Sequence, residues 1–285
     1  MIVIRLQGGL GNQMFQYAAG LSAANKIDTN LKLDVSWFED MQEVDTPRFY
    51  ELGNFSLQQD FITSNQYYFI KDSMKKRFLS VGKARLSKYS EPHFQYDNNL
   101  EKIKNNTYLE GYFQTEEYFK YIRPEILKRF SIKNEPSTKS KEIINMAHKY
   151  ESVSLHVRRG DYVTNQNASK FHGLIGEDYY KKAISIMNKK IKNPKYFIFS
   201  DEIDWVKKNF DLPKGSVFIT HNKSGIEDMR IMIECKHNII ANSSFSWWGA
   251  WLGQNTDKKV IAPKVWFLDN TINTSDIIPS RWQKI

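Results

Sequence analysis

The chain has 285 residues, 41% hydrophobic and 14% aromatic, enough to bury one large core or two of about 100–150 residues and too apolar for a disordered chain. No apolar run approaches the ~18 residues of a membrane-spanning helix, and the first stretch, broken by Arg5, Gly8 and Gly9, does not read as a secretory signal. A single cysteine, Cys235, excludes an intramolecular disulfide and a multi-cysteine metal site and fits a reducing compartment. The formal net charge of +9 favours anionic partners: nucleic acid, nucleotide phosphates or an acidic membrane surface. The excess is spread, with 21 basic against 18 acidic side chains in residues 1–150 and 20 against 14 in 151–285. Its densest knot is Lys71–Lys88, where seven basic side chains face only Asp72; the plain reading of such a run is a solvated helix face.

In chain order, a short strand at Ile2–Leu6 leads through a glycine turn into a helix over Asn12–Ala24, then a second strand at Leu31–Val35, a β-α-β opening. Residues 55–130 are rich in aromatics and give no clear period, apart from a helix expected over Tyr118–Phe130. Lys133–Lys141, polar and Pro-containing, reads as the linker between an N-terminal domain of residues 1–140 and a C-terminal domain of residues 141–285. Beyond it, strands at Val153–Val157, Tyr196–Phe199, Val217–Thr220, Asn238–Ala241 and Val260–Ala262 alternate with helices near Asp178–Lys190, Asp204–Phe210, Gly225–Lys236 and Phe245–Leu252. Such alternation predicts an α/β fold with parallel sheets covered on both faces, and ligands of such sheets bind at the carboxyl ends of the strands.

Four strand ends carry candidate chemistry. After the first strand comes Gln7-Gly8-Gly9-Leu10-Gly11-Asn12, glycines at a helix start that let backbone N–H groups approach an anion; the register of a dinucleotide fingerprint fails at Met14. In Ser154-Leu155-His156-Val157-Arg158-Arg159-Gly160-Asp161, strand alternation puts His156 and Arg158 on one face. Adjacent arginines leaving a buried strand call for anions, either phosphates held bidentately or Asp161 as an internal partner. Ser200-Asp201 ends the next strand and serves equally as a helix cap. Finally, Asn242-Ser243-Ser244-Phe245 precedes a Trp-rich helix, where small hydroxyls and the helix dipole suit a phosphate and the tryptophans suit packing. Glu227 and Asp228 upstream offer carboxylates for a guanine base or for helix capping. Together these ends describe a nucleotide site without a Walker lysine and without an evident metal cluster, in which arginine does the work of a divalent cation.

Three segments in this order, Gly8–Ala18 (GGLGNQMFQYA), His156–Tyr162 (HVRRGDY) and Asn242–Trp251 (NSSFSWWGAW), resemble the bacterial-type α-1,2-fucosyltransferases, relatives of the blood-group H enzymes. The resemblance runs from residue 1 to about Pro263 and is weakest between 40 and 110. It implies transfer of L-fucose from GDP-fucose to the 2-hydroxyl of a terminal β-galactoside, with inversion and with no metal or other cofactor. It also implies two Rossmann-like domains facing across a cleft, a GT-B-like arrangement with the donor held mainly by the C-terminal one. On this resemblance Arg158 holds the β-phosphate, His156 lines the donor pocket beside it and Ser243, Ser244 and Phe245 seat the pyrophosphate. Asp228 contacts guanine, and Asn12, in the glycine motif with Gly9, closes on the phosphates. Arg159, Asp161, Ser200, Asp201 and Asn242 complete the expected donor site.

The chemistry needs negative charge stabilised on the departing β-phosphate, which suits Arg158 and the helix start at Ser244. Residues 162–176 contain no Asp or Glu, so the base for the acceptor hydroxyl is either His172 or the departing phosphate itself. The expected acceptor is a galactose-terminated oligosaccharide or lipid-linked glycan of an O-antigen or capsule type, handled in the cytoplasm, with Lys71–Lys88 as a peripheral contact to the inner membrane face. Nucleic acid is not expected as a partner, since no recognisable nucleic-acid motif is present. The alternatives are a non-catalytic glycan- or nucleotide-binding protein and a fucosyltransferase of other linkage.

Overall fold

Apolar runs with strand alternation and helices with one buried stripe fold into two all-parallel sheets. The computed structural model describes residues 1–39, 47–69, 82–160, 173–222 and 224–285. The chain divides into two units, Met1–Lys133 with Ile272–Ile277, and Asn134–Thr271 with Ile278–Ile285.

In the first unit, β1 (Ile2–Arg5) runs into α1 (Leu10–Lys26), β2 (Leu31–Asp34), β3 (Tyr67–Phe69), β4 (Ala84–Ser90) and β5 (Thr107–Glu110). The sheet order is β2-β1-β5-β4-β3, with Ile4 opposite Leu33 on one side and Leu109 on the other. Gly20 allows α1 to lie close on the sheet, because a Cβ there would meet Leu31 and Ile4 at 3.0–3.2 Å. The aromatic middle escapes a period-based reading because β3 and β5 are only three and four residues long, β3 and β4 are only half-buried, and a 3₁₀ turn (Asn98–Lys102) separates β4 from β5. The helix expected over Tyr118–Phe130 is confined to α2 (Arg123–Arg129), preceded by two 3₁₀ turns; Pro124 supplies the fixed φ of a helix start.

In the second unit, α3 (Thr138–Lys149) leads into β6 (Glu151–Val157), α4 (Glu177–Lys190), β7 (Pro194–Ser200), α5 (Ile203–Asn209), β8 (Val217–Phe218), α6 (Gly225–Glu234), β9 (His237–Ile239), α7 (Ser244–Leu252), β10 (Val260–Ala262) and β11 (Gln283–Lys284). The expected linker Lys133–Lys141 overlaps the first turn of α3, which Ser137 caps by accepting the Ser140 N–H. Alternation divides this sheet between two cores. Val153, Leu155 and Val157, with Tyr196 and Ile198, pack on Tyr180, Ala183, Ile184 and Met187 of α4, an i, i+3, i+4, i+7 stripe. The opposite pleat, Phe197 and Phe199, packs on Ile143 and Ala147 of α3 and on Ile231 and Met232 of α6. Trp247, Trp248 and Trp251 are buried against one another and, through Trp247, against Trp282, so the tryptophans of α7 are packing. Among the described residues, no helix is long and apolar enough to cross a membrane.

Part of the basic knot Lys71–Lys88 belongs to strand rather than helix. Lys88, on β4, pairs with Glu110 at 2.7 Å and lies over the Phe69 ring; Lys71, Lys75, Lys76 and Arg77 lie outside the described residues.

Candidate active site

The second sheet has the order β11-β10-β9-β6-β7-β8. The chain starts at β6, adds β7 and β8 on one side, then crosses to β9, β10 and β11 on the other. The crevice at the carboxyl ends of β6 and β9 is therefore a topological switch point, where ligands of open parallel sheets bind. His156, the last residue but one of β6, lies there, 6% exposed, its ring 5.8 Å from the ring of Phe245 on the first turn of α7. Phe245 also lies 3.5 Å from where a Cβ on Gly225 would stand, so the start of α6 reaches the same crevice.

His156 Nδ1 is buried with no hydrogen-bond partner among the described residues. Burial pushes its imidazole down to about 4, opposed by the Asp201 carboxylate and aided by the Arg158 guanidinium, so it is neutral at pH 7. An orphaned polar atom at a ligand crevice is the kind of buried group that calls for a partner.

The two arginines divide. Arg158 Nη1 pairs with Asp201 Oδ2 at 2.8 Å, both side chains about a quarter exposed. The Arg159 N–H donates to Asp201 Oδ1 at 3.0 Å. Asp201, beyond the end of β7, thus ties down the turn after β6. Gly160 completes the fit, since a Cβ there would fall 2.5 Å from Asp201 Oδ2. The Arg159 guanidinium turns elsewhere, stacking on Trp205 at 3.3 Å and donating from Nε to Glu202 at 3.0 Å. Ser200 Oγ accepts the Glu202 N–H at 3.0 Å, its cap-like alternative. The internal carboxylate beside Arg158 is therefore Asp201; Asp161, expected in that role, lies outside the described residues, as does His172.

At the start of α7, Ser243 is the N-cap residue, yet its side chain makes no capping bond, and the first turn holds no acidic residue. That leaves the positive end of the helix open in character to an anion, with Ser244 at its first position. Asn242 is buried and its amide holds neighbouring loops, donating to the carbonyls of Gly173 and Trp266. Asp228 accepts from Asn222 Nδ2 at 2.6 Å. Burial raises its carboxyl to about 6 against that hydrogen bond, with Glu227 adding to the rise. Helix capping is not its role: Ser224 caps α6, and Glu227 accepts from Arg230 and from the Ser137 N–H. Asn222 was missed by the sequence reading, which stopped at Thr220; the strand-end rule applied to β8 finds it.

In the first unit the corresponding switch point lies between β1 and β5. Here the glycine loop is held from inside. Gln13 donates to the carbonyls of Gly8 and Phe49 and accepts the Glu51 N–H; Gln16 accepts the Gln7 N–H and donates to the Gly111 carbonyl. The Glu51 carboxylate takes the Leu10 N–H, with Arg48 beside it and beside Gly9. Gly8, at φ +74, sits with Asn12 Nδ2 only 2.8 Å from its would-be Cβ. Asn12 Oδ1 accepts from Gln114 at 2.9 Å, so Nδ2 is the donor Asn12 can offer a ligand. Glu91 fixes the loop after β5 by accepting the Tyr112 and Phe113 N–H groups; burial raises its carboxyl to about 7.

Comparison with known proteins decides the family: residues 1–285 match the family described as glycosyl transferase family 11. The chain belongs to glycosyl transferase family 11. Within that frame it is 35% identical to the O-antigen biosynthesis glycosyltransferase WbnK of Escherichia coli, over 97% of this chain and 98% of that one. It is also 35% identical to an alpha-1,2-colitosyltransferase of Escherichia coli, over 100% and 99%. The galactoside 2-alpha-L-fucosyltransferase Sec1 of Mus musculus is 23% identical over 88% of this chain and 64% of its own length. Among solved structures, POFUT1 in complex with GDP superposes with a TM-score of 0.50 at 12% identity, covering 92% of this chain and 97% of that one, which supports the α/β fold of paired parallel sheets. Among the described residues, no group of three or more His, Cys, Asp or Glu side chains is placed to hold a metal ion.

Proposed function

We propose that this family 11 enzyme transfers L-fucose from GDP-fucose to the 2-hydroxyl of a terminal β-galactoside with inversion, and that the donor diphosphate binds at the β6–β9 crevice. The observation that carries the reading is the convergence of the HVRR and NSSF segments on that one crevice, through the His156–Phe245 ring contact. Arg158 faces the β-phosphate, already oriented by Asp201. The start of α7, with Ser243, Ser244 and Phe245, seats the diphosphate. Asp228, ionised, accepts from the guanine N1–H and amino group, and neutral His156 lines the pocket. Arg159, stacked on Trp205, holds the turn. Asn12 Nδ2 is the contribution of the glycine loop.

In the reaction the acceptor 2-oxygen bonds to fucose C1 as the bond from C1 to the β-phosphate oxygen breaks. The bonding electron pair leaves with GDP, and the hydroxyl proton passes to a base, either His172 or the departing diphosphate. Charge grows on the β-phosphate in the transition state, so Arg158 and the helix start bind that state more tightly than the ground state. A second donor is supported by the colitosyltransferase relative, and the O-antigen relative supports an acceptor in a surface polysaccharide. The test is incubation with GDP-fucose, GDP-colitose or GDP-mannose and a panel of β-galactosides, with the linkage located by NMR. An α-1,2-fucosyl product is expected. Transfer of colitose alone would move the donor assignment, and binding of GDP or galactoside without any transfer would make the protein a binding module.

A further inference from the structure

A pocket of about 520 Å³ opens on the first unit, among the last turns of α1, the 3₁₀ turn Asn98–Lys102 and the 3₁₀ turns before α2. Its lining starts at Ser22, twelve residues along α1 from Leu10. At 1.5 Å per residue that is roughly 18 Å from the glycine loop, towards the opposite end of the helix. The pocket is therefore distinct from the glycine-loop site of the first unit. Its size falls within the range of small-molecule sites, ~300–1,000 Å³.

The lining has a specific chemistry. Tyr96, Tyr118 and Tyr121 supply ring surface, and Tyr121 is 80% exposed, leaving most of its ring open at the pocket. Hydrogen-bonding groups ring these faces. Glu101 accepts from Tyr96 and pairs with Lys26 at 2.8 Å, and Glu117 pairs with Lys120 at 2.5 Å. Lys120 in turn lies over the Tyr121 ring. Each lining carboxylate is thus matched by a lysine, so the pocket offers flat apolar faces and polar rims with its charges paired. That combination suits a neutral ligand with one apolar face and many hydroxyls and disfavours an anion or a purely apolar chain.

We propose that this pocket is a second, non-catalytic subsite for a neutral pyranose of an extended acceptor or product glycan, with a sugar face laid on Tyr121 and hydroxyls bonded to Glu117 and Glu101. The proposal rests on the glycosyltransferase reading for the identity of its ligand. It makes chain length matter: an oligosaccharide that reaches the subsite binds better than the same terminal galactoside as a disaccharide.

The probes are a β-galactoside disaccharide and a neutral hexasaccharide with the same terminal galactose. On the full chain, KM for each acceptor is measured for the parent, Tyr121→Ala and Glu117→Gln, together with saturation transfer from tyrosine ring protons to the hexasaccharide. Because Tyr121 is exposed, its removal leaves the core intact. We expect KM for the hexasaccharide to rise about five- to tenfold in both variants, kcat and the disaccharide KM to stay put, and saturation transfer to fall in Tyr121→Ala. Equal parental KM values for the two acceptors, or variants that change neither KM nor saturation transfer, overturn the subsite while leaving the transferase reading standing. Saturation transfer that depends on Tyr121, in a protein that transfers no sugar, keeps the glycan subsite and overturns the transferase reading instead.

Discussion

The two sheets are built alike and end differently. Each is all-parallel, and each has a switch point where a helix starts beside a central strand. In the first unit that helix start is filled from within: the Glu51 carboxylate takes the Leu10 N–H, and the amides of Gln13 and Gln16 hold the glycine loop. In the second unit the start of α7 has neither a capping side chain nor an acidic first turn, Arg158 stands on the neighbouring strand end, and His156 Nδ1 lacks a partner among the described residues. The architecture alone does not make an anion site. What distinguishes the second unit is a helix start with no internal cap beside an arginine already oriented by Asp201; on the proposed reading that unit seats the diphosphate and the first supplies one side-chain amide.

The largest expected break in this contrast is Arg158→Ala. If its guanidinium faces the β-phosphate as proposed, losing it should lower kcat by two to three decades, about 3–4 kcal/mol, with an unchanged circular dichroism spectrum. Arg158→Lys should rescue poorly because it keeps the charge and loses the fork. Near-parental turnover in a folded Arg158→Ala enzyme would remove the arginine from catalysis.

Asp228 sharpens the contrast through pH. Burial pushes its carboxyl up to about 6, and in the proposed role it accepts from guanine only when ionised. GDP-fucose, whose diphosphate does not titrate near pH 6, should therefore bind more tightly as pH rises through 6, about tenfold from pH 5 to pH 7.5. Calorimetry on Asp228→Asn should give weaker binding with that pH dependence gone; an unchanged profile would take Asp228 out of the base pocket.

Asn12→Ala addresses the first unit. If that unit gives only one amide, kcat should fall roughly tenfold, the value of one hydrogen bond to a charged group at ~1.5 kcal/mol, and GDP affinity should change less than in Arg158→Ala. A larger loss of GDP affinity here would reverse the ranking of the two units.

The last effect concerns stability rather than turnover. The folded-state pKa of His156 is depressed to about 4, so the unfolded chain binds the proton first. Its contribution is fully present above pH ~6.5 and is lost as pH falls from there towards 4. Melting temperature should drop through that window in the parent and drop less in His156→Asn, by a few degrees; parallel curves would contradict the buried neutral imidazole.

Much of the second unit was legible because its strands and helices carry clean periods. Val153–Val157 alternates, and Tyr180, Ala183, Ile184 and Met187 repeat as a helix stripe. Arg158 and His156 were legible for the same reason, as residues at the end of a strand whose pleat is set. The pairing of Arg158 with Asp201 was not, because it joins the ends of two neighbouring strands 43 positions apart and only their register, His156 opposite Phe199, brings them together. The division of labour between Arg158 and Arg159 depends on Trp205, an aromatic on a different element that no strand-end pattern ties to the arginine turn. In the first unit β3 to β5 stayed hidden because β3 and β5 are only three and four residues long and the half-buried β4 carries few apolar side chains, and the closed helix start stayed hidden because Glu51 reaches it from 41 residues downstream of Leu10.

Amide hydrogen exchange of the full chain with and without GDP tests the central claim most directly. Protection on GDP addition is expected at the start of α7, Ser244–Trp247, and in the turn Val157–Gly160, and it should be stronger there than anywhere in Gly8–Gln13. Protection concentrated in Gly8–Gln13, with α7 and the arginine turn unchanged, would place the diphosphate on the first unit and contradict the account.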